Sequence, residues 1–550
     1  MNKPSRSRVR LLFTGVISAL NLLPLSNGVA QEPKVKIGKE TTYIEGPLTK
    51  DGYIDYVSHL NSVLSKGVTP ENNAAVLLLK ASPGEINNEK FLKRYCKALG
   101  IKPLSLKGDY FQNYYRFAIS EAEASKGRPL TPEERLETQE AIEKDFEKAG
   151  SGPWKKTEIP SMARWMDANE KPLKLVRQAT LRSRYYHPML NSGEDGEKFP
   201  MIAILLPQAQ ATRSYARALM VRSMMYLGEG DVGQCTEDLL TMRRLGNHVA
   251  SGATVVEQLV GIAIVGIAQE QERKMAFSGK LSLEQLVDYR SRMEKHRMKS
   301  NMVRSFSECE RFMYLDSVQQ VMKHGMTTLS EITGSGGGNS GSQTRMQELM
   351  DKVVSSSTDW SITMKEGNRL YNKYENQLKT DDWVEQDEAL AKMEKEIQQM
   401  TSEIRGTSAI VKAMLGGPEY RGKMMGKIFV GMLLPALNAA STAEKRAKVM
   451  DDLSYIILSA SAHRAEKGEY PESIDRFSRS VVKKLPIDRY ARDEYRYRRQ
   501  ENGFIVYSIG PNRKDDDGNG AYNERMDIGD DYGAGYDSVK GKPAAGKDLK

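Results

Sequence analysis

The chain is expected to fold as a mainly α protein that closes with a small C-terminal α+β module. Three features carry this expectation. Apolar residues make up 39% of the 550, yet only 12 are Phe while 27 are Met, a bias that suits helical cores better than aromatic-rich sheets. Apolar positions recur at spacings of three and four through most of the sequence. Near the end, two alternating runs are joined across an Asn-Gly turn. The length is several times the usual domain of roughly 100 to 200 residues, so two or three separately cored domains are expected.

Residues 1–30 come first. Lys3, Arg6, Arg8 and Arg10 lead into an apolar stretch from Leu11 to Leu25, and Gly28 and Ala30 supply small residues three and one positions before a cleavage point. This is the pattern of a secretory signal peptide cut after Ala30. The apolar stretch is shorter than the roughly 20 residues that a membrane span needs. The mature chain is therefore expected to be secreted or to lie in the periplasm or cell envelope, with no span left. Cleavage removes four of the nine excess positive charges, and the weak imbalance left gives no support to nucleic-acid binding. Cys96, Cys235 and Cys309 are too few and too scattered for a disulfide framework or a zinc site. One pair could bridge.

Residues 31–332 read as a helical domain. In "ARALMVRSMMYLGEGDVGQCTEDLLTMRRL" (216–245), Ala216, Met220, Met224 and Leu227 share one helical face, and Cys235, Leu239, Met242 and Leu245 share another. "GEGD" is the turn of an antiparallel pair. The pair is like a tetratricopeptide unit, but no second copy follows at a fixed period, and an ordinary bundle explains it as well. "LVGIAIVGIA" (259–268) is apolar on all sides and bounded by Glu257, Gln258, Gln269 and Glu270, which marks a buried central helix. Residues 333–345 are a Gly/Ser-rich linker or loop, and the dinucleotide-like spacing of Gly336, Gly338 and Gly341 follows no buried strand.

Residues 346–425 read as a helical hairpin region, with Leu390, Met393, Ile397, Met400 and Ile404 as its apolar seam. In the module at 426–537, a helix carries Val449, Leu453, Ile456, Ala460 and His463 on one face and stops at Gly468, before Pro471. "EYRYRR" and "GFIVYSIG" then form a hairpin. Tyr507 and Ile509 should lie on the opposite face from Phe504, Val506 and Ser508. Residues 538–550 are a disordered tail.

Two resemblances follow. "LLPALNAASTAEKRAKVMDDLSYIILSASAHRAEKGEYP" resembles the stem helix of prepilin-like proteins, and "YRYRRQENGFIVYSIGPNRKDDDG" with the later "MDIG" is similar to the hairpin and acidic loop that close type II secretion major pseudopilins. The segment departs from that family where assembly is concerned. "GKIFVGMLLPAL" follows more than 400 other residues and lacks the Glu of a processed pilin start, so the resemblance implies a pseudopilin-like fold and no place in a pilus. Separately, "TTYIEGPLTKDGYIDYVSHLNSVLSKGVTPENNAAVLLLKA", "ANEKPLKLVRQATLRSRYYHPML" and "MMYLGEGDVGQCTEDLL" look like a family of large secreted planctomycetal proteins. That resemblance implies export and helical architecture and brings no activity with it.

The acidic loop is the candidate metal site. Asp515, Asp517 and Asn519 fill the first three ligand positions of an EF-hand loop and Gly520 its glycine, but Met526 stands where the bidentate Glu belongs. The segment before it is strand-like. The pseudopilin resemblance implies instead a calcium cage in which Ser508 is the strand-end serine, Asn512 the first loop ligand and Asp527 the closing acid. Asn512 puts a neutral amide where that family has a carboxylate. A structural calcium is expected on Ser508, Asn512, Asp515, Asp517, Asn519 and Asp527, since a cation relieves the repulsion among packed acids. A solvated Asp- and Gly-rich turn is the alternative.

Catalytic motifs are missing. His59, His187, His248, His296, His324 and His463 lie far apart, and no H-E-x-x-H, G-x-S-x-G or Walker pattern occurs. The function expected is that of a non-enzymatic extracytoplasmic scaffold or binding protein with a protein partner. The alternative is an envelope hydrolase with a dispersed active site, which a deep pocket with converging His and carboxylates would mark.

Overall fold

The computed structural model describes residues 35–86, 88–190, 200–204, 206–300, 302–325, 358–403, 412, 416–433, 435–501, 503–518 and 532–537. The expected signal peptide, the linker at 333–345 and the tail at 538–550 lie outside the described residues, as do Asn519, Gly520 and Asp527 of the acidic loop. The helices are α1 (Tyr56–Leu64), α2 (Ala74–Ala81), α3 (Glu89–Ala98), α4 (Tyr114–Lys126), α5 (Pro132–Ser151), α6 (Pro160–Ala168), α7 (Glu170–Thr180), α8 (Pro207–Glu229), α9 (Val232–Ala250), α10 (Val255–Phe277), α11 (Leu283–Glu294), α12 (Arg311–His324), α13 (Trp360–Leu378), α14 (Trp383–Glu403), α15 (Pro418–Leu433) and α16 (Pro435–Lys467). A one-turn helix (Met302–Arg304) and a π-helical turn (Ser305–Glu310) lead into α12.

The expected helix pair is α8 and α9. Gly230 ends α8 in the left-handed region at φ +88°, and the Asp231 side chain caps α9 by accepting from the Gln234 N–H. The apolar run at 259–268 lies within α10, where only Val256, Ala263 and Glu270, seven residues apart, are exposed along 254–272. Helices α9 and α10 cross closely because two glycines meet there. A Cβ on Gly261 would fall 2.4 Å from the Gly246 carbonyl oxygen, and one on Gly246 2.6 Å from Val265 Cγ2. The described part of 346–425 contains α13, α14 and the start of α15, which runs across the expected boundary at 425; of the expected seam Leu390, Met393 and Ile397 are buried, Met400 is half-buried and Ile404 lies outside the described residues.

The C-terminal strands are short. β1 (Ile487–Asp488) pairs antiparallel with β2 (Asp493–Glu494). β3 (Arg496–Gln500), β4 (Gly503–Ser508) and β5 (Tyr532–Asp537) form an antiparallel sheet in that order, with Arg499 opposite Phe504 and Ser508 opposite Tyr532. Phe504 and Val506 face the helices, and Phe504 stacks on Tyr497 and meets Tyr470 and Phe277 edge-on. Ile505 and Tyr507 face the acidic loop, where Gly518 closes to within 2.8 Å of Ile505 Cδ1 for an added Cβ. The alternation stops at Ser508. Ile509, expected on the Tyr507 face, joins the helical core instead, because its N–H is drawn onto Asp488 and the strand ends there.

The cores do not follow the segment boundaries read from the sequence. One runs from Ala74 and Leu78 through Leu239, Val260 and Ile264 to Leu453, Ile456, Phe504 and Val506, and a second joins Tyr56, Phe306 and Phe312 to Tyr371, Phe429 and Ala447. Both α10 and α16 feed both cores, so the C-terminal helix packs as a central element of the whole. Buried charge fastens it. Arg243 on α9, with no exposed surface, donates to Glu272 on α10 through Nε and Nη2 and to Asp451 on α16 through Nη1 at 2.6 Å. Tyr289 Oη donates to Glu272 at 2.6 Å, and Gln269 Nε2 and the Met298 N–H donate to Asp451 at 2.8 and 2.5 Å. The neighbouring Asp452 accepts from Arg297 and from Tyr495 Oη. Such a network holds because each charge is answered by a partner in a dry interior.

Candidate functional site

The sequence-predicted loop leaves β4 at Ser508 and turns through left-handed Arg513, Asp517 and Gly518. Ser508 is fully buried and points away from the loop. Its Oγ donates to Asp488 at 2.9 Å and accepts the Gly510 N–H at 3.1 Å. Asp488, buried at the end of β1, also accepts the N–H groups of Tyr490 and Ile509. Burial pushes its carboxyl above the usual range, against the pull of those donors. Asp488 was not picked out in the sequence, since a lone Asp 20 residues before its partner makes no motif.

The loop acids have guanidinium partners on β3. Asp515 accepts from Tyr507 Oη at 2.8 Å and from Arg496 Nε at 3.2 Å, and Asp517 lies 3.8 Å from Arg498 Nη1. Burial pushes Asp515 up, but Tyr507, the Asp517 N–H and Arg496 outweigh it and hold the carboxyl below the usual range. Asn512 Nδ2 donates to Asp516 at 3.0 Å and its Oδ1 accepts the Lys514 N–H. Of the six expected ligands, Ser508 is engaged with Asp488 and Asp515 with Tyr507 and Arg496. Among the described residues no group of three or more His, Cys, Asp or Glu is placed to hold a metal ion.

A second place gathers chemistry that the sequence did not flag. The extended strap that follows α7 carries Tyr185, Tyr186 and His187 across the start of α10. Asn73 pins the strap by exchanging hydrogen bonds with the Tyr186 backbone, and Asn61 does the same at Met189. His187 Nε2 meets Glu257 Oε1. Glu257 also closes a capping box, accepting the Thr254 N–H and Oγ1 while its own N–H donates to Thr254. Gly252 makes room, since a Cβ there would fall 2.2 Å from Glu257 Oε1. Burial pulls the imidazolium down and the carboxylate up, and each is overridden by the other's charge, so His187 ends above its ordinary value and Glu257 below.

Glu310, at the end of the π-helical turn, accepts the Val255 N–H at 3.1 Å, so a second carboxylate stands at the same helix start. Burial raises it to about 6, with Val255 holding it back. The space beside the pair, between Tyr185 and the 251–253 loop, is about 10 Å³, room for about one water. Only Glu257 left a sequence signal, as the fourth residue of "TVVE" before an apolar run.

His463 is nearly buried on the expected face of α16 and its Nδ1 accepts the Ser478 N–H at 3.0 Å. Cys96, Cys235 and Cys309 are buried free thiols, 213 positions apart at the extremes, and none bridges another. No helix among the described residues is long and apolar enough to cross a membrane. Compared with protein-family models, curated proteins and solved structures, the chain matches none.

Proposed function

We propose that the protein is an exported, non-enzymatic scaffold or binding protein of the periplasm or cell envelope, with a pseudopilin-like helix and hairpin built into its core. The observation that carries this reading is the Arg243–Glu272–Asp451 network. Strongly acidic and basic groups that could do chemistry are spent on joining α9, α10 and α16, which suits a body made to hold shape. Export rests on the signal-peptide pattern at 1–30 and the partner on the exported helical architecture.

We read the acidic loop as neutralised by Arg496 and Arg498. Calcium on Ser508, Asn512, Asp515, Asp517, Asn519 and Asp527 is the competing reading. The hydrolase reading draws on one observation, the meeting of His187 and Glu257. Space for about one water beside them leaves little room for a substrate.

The test is reciprocal. Crosslinking the exported protein in its native envelope should yield a stoichiometric complex that re-forms from purified components, while chromogenic ester, phosphate and glycoside substrates are not turned over. Turnover that disappears in His187→Gln would replace the scaffold reading with the hydrolase one.

A further inference from the structure

The strap at 181–190 is tied on its two sides by different chemistry. Toward α1 and α2 its ties are groups that do not change charge between acid and mild alkali. The Ala74 N–H donates to the Arg184 carbonyl at 2.8 Å and the Arg184 N–H to the Asn72 carbonyl at 3.0 Å. Asn73 exchanges bonds of 2.7 and 3.0 Å with the Tyr186 backbone, and Asn61 exchanges bonds of 2.8 and 2.9 Å with the Met189 backbone. Arg182, a permanent cation, donates to the Pro70 and Asn73 carbonyls. Toward α10 the tie is the His187 imidazole on the Glu257 carboxylate.

That tie depends on one proton. His187 is 7% exposed and Glu257 1%, so each charge has the other as its counter-ion in a nearly dry place. A neutral imidazole keeps at most one N–H on the carboxylate, and Glu257 then stands in the interior without a cation. The space of about 10 Å³ beside the pair marks where the two sides can part. Tyr185, Tyr186 and Met189 of the strap line it, and Ser251, Gly252 and Ala253 face them from the turn before α10.

Other titratable groups surround the pair. Tyr185 lies edge-on to the His187 ring at 6.0 Å and stacks on His248 of α9 at 6.1 Å. Burial holds the Tyr185 phenol, the Tyr95 phenol of α3 and the Cys309 thiol in their neutral forms, and it pulls His248 down toward the neutral imidazole. Glu310, on the Val255 N–H, titrates at about 6. It is the neighbour that an experiment must separate from His187.

We propose that His187 is a pH-sensitive latch: protonated, it fastens the strap to the start of α10, and deprotonated, it frees that edge while the asparagines keep the strap on α1 and α2. His187 is held above its ordinary 6.5 and Glu257 below its ordinary 4.5. The histidine's contribution is complete below pH 6.5 and is lost as pH rises through the raised value. The glutamate's is complete above pH 4.5 and is lost as pH falls through the lowered one. The latch is therefore shut in mild acid and opened by alkali. The proposal is independent of the scaffold reading.

The experiment is hydrogen exchange read by mass spectrometry on the full exported chain, from about pH 5 to about pH 9, with exchange times scaled for the base-catalysed intrinsic rate. Protection in peptides covering 182–190 and 251–257 should fall together, with a midpoint above pH 6.5, while a peptide covering 503–508 keeps its protection. His187→Gln, which cannot gain the charge, should show the low protection at every pH and no midpoint. Glu310→Gln should keep the midpoint. A flat profile in the parent, a midpoint that persists in His187→Gln or one that vanishes in Glu310→Gln would overturn the proposal. So would loss of protection at 503–508 with the same midpoint, which is unfolding of the whole. Should His187→Gln fail to fold, the parent and Glu310→Gln profiles still decide.

Discussion

Replacing Arg243 by Met should cost the protein about 4–5 kcal/mol, because it leaves two carboxylates inside the core with no cation. Removing one member of a buried ion pair typically costs about 3–5 kcal/mol. Arg243 stands toward the upper end, since it answers both Glu272 and Asp451 and none of the three has more than 2% of its side chain exposed. Tyr289, Gln269 and the Met298 N–H remain as donors and keep the cost from rising further. Urea denaturation followed by far-ultraviolet circular dichroism and by tryptophan fluorescence measures the loss as a fall in midpoint at constant slope. Both probes should move together, because the network ties α9 and α10 to α16. The triple variant Arg243→Met, Glu272→Met, Asp451→Leu should regain only part of the loss: no charge is then left unpaired, but Tyr289 Oη and the Met298 N–H lose their carboxylate acceptors. A single-variant cost below about 1 kcal/mol, in the range of an exposed pair, would refute the view that this network carries weight.

Glu310 gives a pH test. Its folded-state value is raised from 4.5 to about 6, so the folded chain holds this proton more tightly than the unfolded one; the stability it adds is complete below pH 4.5 and is lost as pH rises through 6. The change is about 2 kcal/mol, and Glu310→Gln should flatten that part of the stability–pH curve. Asp488→Ala strips the acceptor from Ser508, Tyr490 and Ile509 and should cost about 2–4 kcal/mol, with the same loss in calcium and in chelator. Asp517→Ala should change the melting temperature little, and millimolar calcium should not raise that of the parent; a calcium-dependent rise lost in Asp517→Ala or Asp527→Ala would establish the cage instead. Gly261→Ala forces a methyl against the Gly246 carbonyl and Ala250 and should cost about 1–3 kcal/mol, read by the same urea titration.

Local patterns carried much of the fold. The α8–α9 pair and its turn and the buried run in α10 are set by neighbours a few residues away, through periodicity and turn chemistry; the β3–β4 pairing is expected too, but Gly503 pairs with Gln500 inside the ladder and does not sit in the turn. The Tyr507–Ile509 alternation failed at its last residue because a carboxylate from β1 captures the Ile509 N–H, a contact that strand periodicity does not contain. The shared cores were not legible for a similar reason. An apolar face on α16 says that the helix buries something, and only the three-dimensional packing says that it buries α10. The same limit applies to sites: His187 and Glu257 are 70 positions apart, and the run of loop acids does not reveal that Arg496 and Arg498 of β3 fold beside them.

Native-state hydrogen exchange in low urea tests most directly whether the C-terminal helix and sheet are one body with the helices before them. Amides of α9, α10, α16 and β4 should open with one common free energy and one common urea dependence, as a single cooperative unit does. An α16–β4 group that opens at markedly lower free energy than α9 and α10, with its own urea dependence, would mean a separable module and contradict the shared core.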